Sequence, residues 1–142
     1  MSIGCRLADT SGMTDPSTAP APLRVLLVDR DDRVRESLAG LLGIGDRCLV
    51  VGSAGTTEAA TRLAVEFTPD VVVVDPRLPG IDDGAALIAR LREACPTTRV
   101  LVLNWSDAAD SQDCGADAYT RKTFRPHELI DAVILTAGRS AI

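Results

Sequence analysis

Four polar residues stand at the ends of short runs of the chain: Asp29 after Leu23 to Val28, Asp75 after Val71 to Val74, Asn104 after Val100 to Leu103, and Lys122 after Asp117 to Arg121. Their types are complementary, because carboxylates offer oxygen acceptors, an amide offers a donor and an ammonium offers a cation. Singly, each has an ordinary reading: an aspartate after a strand commonly caps the next helix, and a lone lysine is commonly a solvated charge. Position makes them a set. If the runs are parallel strands of one sheet, they all end on the same edge and the polar residues meet there.

The runs have the character this requires. Leu23 to Val28, Cys48 to Val51, Val71 to Val74 and Val100 to Leu103 are short and nearly uniformly apolar, as strands buried on both faces are. A fifth strand, Asp117 to Arg121, follows the turn-forming Cys114-Gly115. Between them, Val34, Leu38, Leu41 and Leu42 mark one helical face, Ala60, Leu63, Ala64 and Phe67 a second, and Leu87, Ile88 and Leu91 a third. Leu129, Ile130, Val133 and Ile134 form a last one behind Pro126, a residue suited to a helix start. Such alternation predicts an α/β fold, an open sheet with helices on both faces.

Residues 1–21, rich in Ser, Thr, Pro, Ala and Asp, are expected to be a disordered tail, residues 22–138 the domain, and residues 139–142 a short C-terminal tail. With 142 residues, of which 46% are hydrophobic, the chain suffices for one domain and leaves no room for a second, output domain. The net charge of −5 comes from interspersed charges, so neither nucleic acid nor an anionic membrane is the expected partner; proteins or small ions are. Cys5, Cys48, Cys95 and Cys114 form no C-x-x-C pair and read as ordinary reduced thiols. No run has the length of a membrane span and no leader pattern opens the chain, which gives a cytoplasmic expectation.

Taken together, these segments resemble the receiver domains of bacterial response regulators. Val25-Leu26-Leu27-Val28-Asp29 followed by Val34-Arg35-Glu36-Ser37-Leu38 is similar to their first strand and helix. Val71-Val72-Val73-Val74-Asp75-Pro76-Arg77-Leu78-Pro79-Gly80 is similar to the phosphoacceptor strand and its loop, and Gly115-Ala116-Asp117-Ala118-Tyr119 with Lys122 to the last strand and its lysine. The resemblance spans residues 23–137 and is specific as a combination. It implies a single-domain, flavodoxin-like (CheY-like) fold with an open five-stranded parallel sheet in the order 2-1-3-4-5. It further implies a signalling module of a phosphorelay, not an enzyme. In that role Asp75 accepts a phosphoryl group from a histidine kinase or a small phosphodonor, Lys122 pairs with that group, Asn104 senses it, and a downstream protein partner reads the outcome. Asp29 and Asp75 would hold Mg²⁺, which takes carboxylate and water oxygens in an octahedral array.

The chain departs from the family pattern in several places. Arg30 occupies the second acidic position after the first strand. It either pairs with Asp75, making the metal unnecessary, or turns to solvent while Asp31 or Asp32 supplies a ligand. The Mg²⁺ site is therefore expected to be weakened or lost. Asn104 stands where receivers carry Ser or Thr, and Trp105 follows where a small residue is usual, either roofing Asp75 or plugging the core. The segment from Trp105 to Gly115 is about four residues shorter than the family pattern, so the fourth helix is expected to be shortened or missing. The sheet would be less covered there, and the apolar last helix, with Ala132, Leu135 and Ala137 beside its core face, points to an interaction surface such as a homodimer.

Two functions compete on these residues: a working phosphoacceptor, and a phosphorylation-independent pseudo-receiver, a protein-interaction module in which Arg30 replaces the metal. A remote third, an aspartate-nucleophile phosphatase, rests on Asp29-Arg30-Asp31 alone, and the short connections leave little room for its usual insertion.

Overall fold

The computed structural model describes residues 21–75, 84–104, 116–121 and 125–138. Its elements run β1 (Leu23–Val28), α1 (Asp32–Leu42), β2 (Cys48–Ala54), α2 (Thr57–Phe67), β3 (Val71–Val74), α3 (Gly84–Ala94), β4 (Arg99–Asn104), β5 (Ala118–Arg121) and α4 (Pro126–Thr136). The strands form one five-stranded sheet in the order β2-β1-β3-β4-β5, with every pairing parallel. This is the expected CheY-like arrangement.

The uniformly apolar strands are explained by two cores, one on each face of the sheet. In β1, Val25 and Leu27 face the α1 and α4 side, packing with Leu38, Leu42, Leu129 and Val133. Leu26 and Val28 face the α2 and α3 side, with Ala60, Ala64, Leu87 and Leu91. The same alternation divides Val71 and Val73 from Val72 and Val74 in β3. A strand with a core on each side has no polar face to present, so period-two alternation disappears from its sequence.

β2 runs three residues beyond the expected Val51, to Ala54. It is an edge strand, and its register with β1 slips by one residue between Val25↔Val50 and Leu26↔Gly52, leaving Val51 as the extra residue of a bulge. Exposed edge positions such as Ser53 need no apolar side chain, which hid this end of the strand.

Helix ends follow local chemistry. Asp31 caps α1, its carboxylate accepting from the Arg33 and Val34 amides, and Thr56 caps α2 through the Ala59 amide. Pro126 sits in the first turn of α4, where a missing N–H costs nothing. Leu135 of α4 is 63% exposed, whereas Ala132 and Ala137 pack against the core. Cys48 and Cys95 are free, buried thiols, and burial raises the pKa of Cys48 against the opposing pull of Arg47. The expected tails, Cys5, Cys114 and the shortened fourth helix between Trp105 and Gly115 lie outside the described residues. Among the described residues no helix is long and apolar enough to cross a membrane.

Candidate functional site

β1 and β3 are neighbours, and their last paired residues are Val28↔Val74. Asp29 and Asp75 are the next residue on each strand, so they stand side by side at the C-terminal edge, about 4.8 Å apart at the backbone as neighbouring strands are. The ladder continues one step past the strands to fix both. Asp75 N–H donates to the Val28 carbonyl at 2.8 Å, and Asp29 N–H donates to the Ala54 carbonyl at 3.0 Å. Each aspartate is only 3% exposed. Two neighbouring carboxylates at so low an exposure repel each other and favour a cation or a cationic side chain beside them.

The turn from β1 into α1 decides what else reaches this edge. Asp29 Oδ1 accepts from the Asp31 amide at 2.9 Å, an Asx turn that closes over a single intervening residue. That residue is Arg30, and the turn carries it outward: Arg30 is exposed, and among the described residues no hydrogen bond or ion pair joins it to Asp75. Of the two alternatives for Arg30, pairing with Asp75 or turning to solvent, its exposure agrees with the second. With arginine in place of an acidic residue, this position carries an exposed cation at the turn.

The alternative ligands are also occupied. Asp31 Oδ1 accepts from the Arg33 amide at 2.9 Å and from the Val34 amide at 3.4 Å, so this carboxylate serves the helix N-terminus. Asp32 is paired with the Arg35 guanidinium. Among the described residues no three His, Cys, Asp or Glu side chains gather as a metal cluster. Asp29 and Asp75 nevertheless suit Mg²⁺, an ion commonly held by one or two carboxylates with water completing its shell. The fit is to a water-rich site with few protein ligands.

Asn104 is the last residue of β4 and pairs in register with Arg121, the last residue of β5, which places its backbone at the same edge. Lys122, next after β5, and Trp105, next after β4, lie outside the described residues. Two features of the edge carried no sequence expectation. Arg35, from the second turn of α1, donates through Nη1 to the Asp29 carbonyl and through Nη2 to Asp32 Oδ1. Thr57, at the start of α2, is buried, and its hydroxyl has no hydrogen-bond partner among the described residues. A signal for Arg35 was present, namely an arginine one to two turns into the helix that follows Asp29, with Gly55 at the end of the neighbouring strand.

Comparison with known proteins agrees with the fold described above. The family model for the response regulator receiver domain matches residues 25–134. The transcriptional regulatory protein PdtaR of Mycobacterium tuberculosis is 35% identical over 133 residues, covering 89% of this chain and 64% of PdtaR. The DNA-binding transcriptional activator DevR/DosR of the same species is 38% identical over 125 residues, covering 84% of this chain and 57% of DevR/DosR. The chain thus spans a little over half to just under two thirds of the length of these relatives. The solved signal receiver domain of the response regulator NarL from Mycobacterium tuberculosis superposes with a TM-score of 0.74 at 31% identity, covering 84% of this chain and 98% of that domain. With the match running from β1 into α4, the chain belongs to the response regulator receiver domain family of two-component signalling.

Proposed function

We propose that this receiver accepts a phosphoryl group on Asp75 and passes the signal to a partner protein. The observation that carries the reading is the pair of buried carboxylates, Asp29 and Asp75, held one step beyond the paired Val28 and Val74 on adjacent strands. A carboxylate fixed by its own backbone at a strand end is an oriented nucleophile. In the step proposed, an Asp75 carboxylate oxygen bonds to the phosphorus of the donor, a phosphohistidine or an acyl phosphate such as acetyl phosphate. The bond from phosphorus to the donor atom breaks, its electron pair leaves with the donor, and Asp75 becomes an acyl phosphate.

Charge is the main obstacle, since a dianionic group approaches two carboxylates. Mg²⁺ bound by Asp29 and Asp75 would supply the neutralising charge, and Lys122 would supply a second cation from the end of β5. Asn104, at the end of β4, would donate its amide N–H to a phosphoryl oxygen. The upstream partner of this reading is a histidine kinase or a small phosphodonor, and the downstream partner is a protein.

The test is incubation with acetyl phosphate and Mg²⁺, followed by intact-mass measurement, with the Mg²⁺ and beryllofluoride response of Trp105 fluorescence as a second readout. The expected result is one added phosphoryl group and a saturable fluorescence change, both lost in Asp75→Asn. A wild-type chain that gains no phosphoryl group and shows no Mg²⁺ response would overturn the reading in favour of a receiver that works by protein contact alone.

A further inference from the structure

Among the described residues, Arg35 is the one cation seen to grip the site's own backbone, and Arg30, nearer in sequence, is not. Its side chain is 15% exposed although its carboxylate partner, Asp32, is 82% exposed. A pair formed for its own sake with so hydrated an aspartate would keep the guanidinium in water, where surface pairs contribute little. The contact that draws it inward is the Asp29 carbonyl. Arg35 therefore ties α1 to the peptide whose side chain forms the Asx turn with Asp31.

Gly55 supplies the second, independent observation. A Cβ at this position would lie 2.7 Å from Arg35 Nη1, 3.5 Å from Arg35 Cζ and 3.6 Å from the Asp29 carbonyl oxygen. The described glycines with positive φ are Gly45 and Gly138, so the backbone at Gly55 does not demand glycine. Space does. The end of β2 lacks a side chain where the guanidinium crosses from α1 to the Asp29 carbonyl.

We infer that Arg35, seated against Gly55, is a positioning residue that fixes the orientation of the Asp29 carboxylate and so sets the rate at which Asp75 is phosphorylated. The inference rests on the phosphoacceptor reading for its consequence on rate, and on the geometry alone for its consequence on Asp29. The guanidinium clamps the Asp29 carbonyl, which holds the following peptide. The Asp31 amide then stays on Asp29 Oδ1, and the carboxylate keeps one orientation.

The experiment compares wild type with Arg35→Ala, Gly55→Ala and the double variant in the full chain. Gly55→Ala matters most, because the only atoms it displaces hard are at the end of a flexible side chain, so the fold is kept while the guanidinium is pushed off. The first readout is native-state hydrogen exchange at the Asp31 amide, and the second is the phosphorylation rate with acetyl phosphate and Mg²⁺. Loss of a charge-assisted hydrogen bond predicts about tenfold faster Asp31 exchange and about tenfold slower phosphorylation in either single variant. The double variant should match Arg35→Ala, since both changes remove one contact.

A merely structural role would raise exchange along α1 and β1 alike and leave the phosphorylation rate at the wild-type level, which overturns the inference. So would additive effects in the double variant, or Asp31 exchange in Gly55→Ala equal to wild type. If the wild-type chain accepts no phosphoryl group, the phosphoacceptor reading fails and Arg35 loses its effect on rate, while the Asp31 exchange still decides whether Arg35 positions Asp29.

Discussion

Aspartates stand at both edges of the sheet, and they are used in opposite ways. At the N-terminal edge, Asp70 precedes β3 and Asp117 precedes β5, and both make the same clasp on the neighbouring strand. The Asp70 amide donates to the Arg24 carbonyl at 2.8 Å while the Arg24 amide donates to Asp70 Oδ2 at 2.8 Å. The Asp117 amide donates to the Val100 carbonyl at 2.9 Å while the Val100 amide donates to Asp117 Oδ2 at 2.8 Å. In each clasp the carboxylate turns back to satisfy the second amide of a strand whose ladder has just begun. At the C-terminal edge, Asp29 and Asp75 continue the ladder with their backbones only, and the Asp29 carboxylate turns forward to the next turn. The comparison teaches that strand direction separates the two uses: the aspartates ahead of a strand turn their carboxylates back onto the sheet, and those behind one continue the ladder through their backbones.

Breaking the N-terminal edge should therefore cost stability and spare the site. Asp117 is the sharper case, since it also pairs with Arg92 at 3.0 Å and approaches Arg99 at 4.0 Å. Its bond to the Val100 amide is a charged acceptor on a part-buried donor, and the arginine contacts, being partly exposed, add little. Asp117→Ala is expected to lower the unfolding free energy by about 2–3 kcal/mol, read from urea denaturation, with phosphorylation by acetyl phosphate unchanged in the folded fraction. Loss of phosphorylation at undiminished stability would erase the distinction between the edges.

Asp31 tests the boundary between the two uses. It lies at the chemical edge, yet its carboxylate caps α1. Asp31→Ala is expected to cost about 1 kcal/mol of stability, the ordinary value of an N-cap, while Mg²⁺ affinity measured by titration calorimetry stays within about twofold of wild type. A larger loss of Mg²⁺ affinity would make Asp31 a ligand and move it into the site.

Much of this architecture was legible because it follows from burial. β1, β3 and β4 announce themselves as uniformly apolar runs, since each is covered on both faces, and Asp29 and Asp75 follow from where those runs stop. The end of β2 was not legible: the apolar run stops at Val51, and an edge strand with a bulge there needs no apolar signature beyond it. Arg30 shows a different limit. Its place in the sequence leaves two directions open to it, towards Asp75 or towards solvent, and only the folded turn shows it exposed. Arg35 and Gly55 were legible only as residue types in suggestive places, because their contact joins a helix to a different strand end and no local pattern encodes it.

The smallest expected effect concerns Thr57, where the chemical edge leaves a local rule unmet. The clasps at the N-terminal edge pair their strand amides, whereas the Thr57 hydroxyl is buried without a partner among the described residues. Its position explains how this arises. Thr56 takes the cap of α2 through the Ala59 amide, so the next residue enters the first turn with its side chain directed into the protein. A buried hydroxyl without a hydrogen bond is costly, and an isosteric methyl removes the cost while keeping the shape. Thr57→Val is accordingly expected to stabilise the fold by about 0.5–1 kcal/mol, seen as a raised urea midpoint at constant m-value. The phosphorylation rate then decides what the orphan hydroxyl is for. An unchanged rate makes it a tolerated packing defect. A slower rate in a more stable protein would mean that the edge carrying Asp29 and Asp75 gives up stability for a polar group its chemistry uses, as functional sites commonly do.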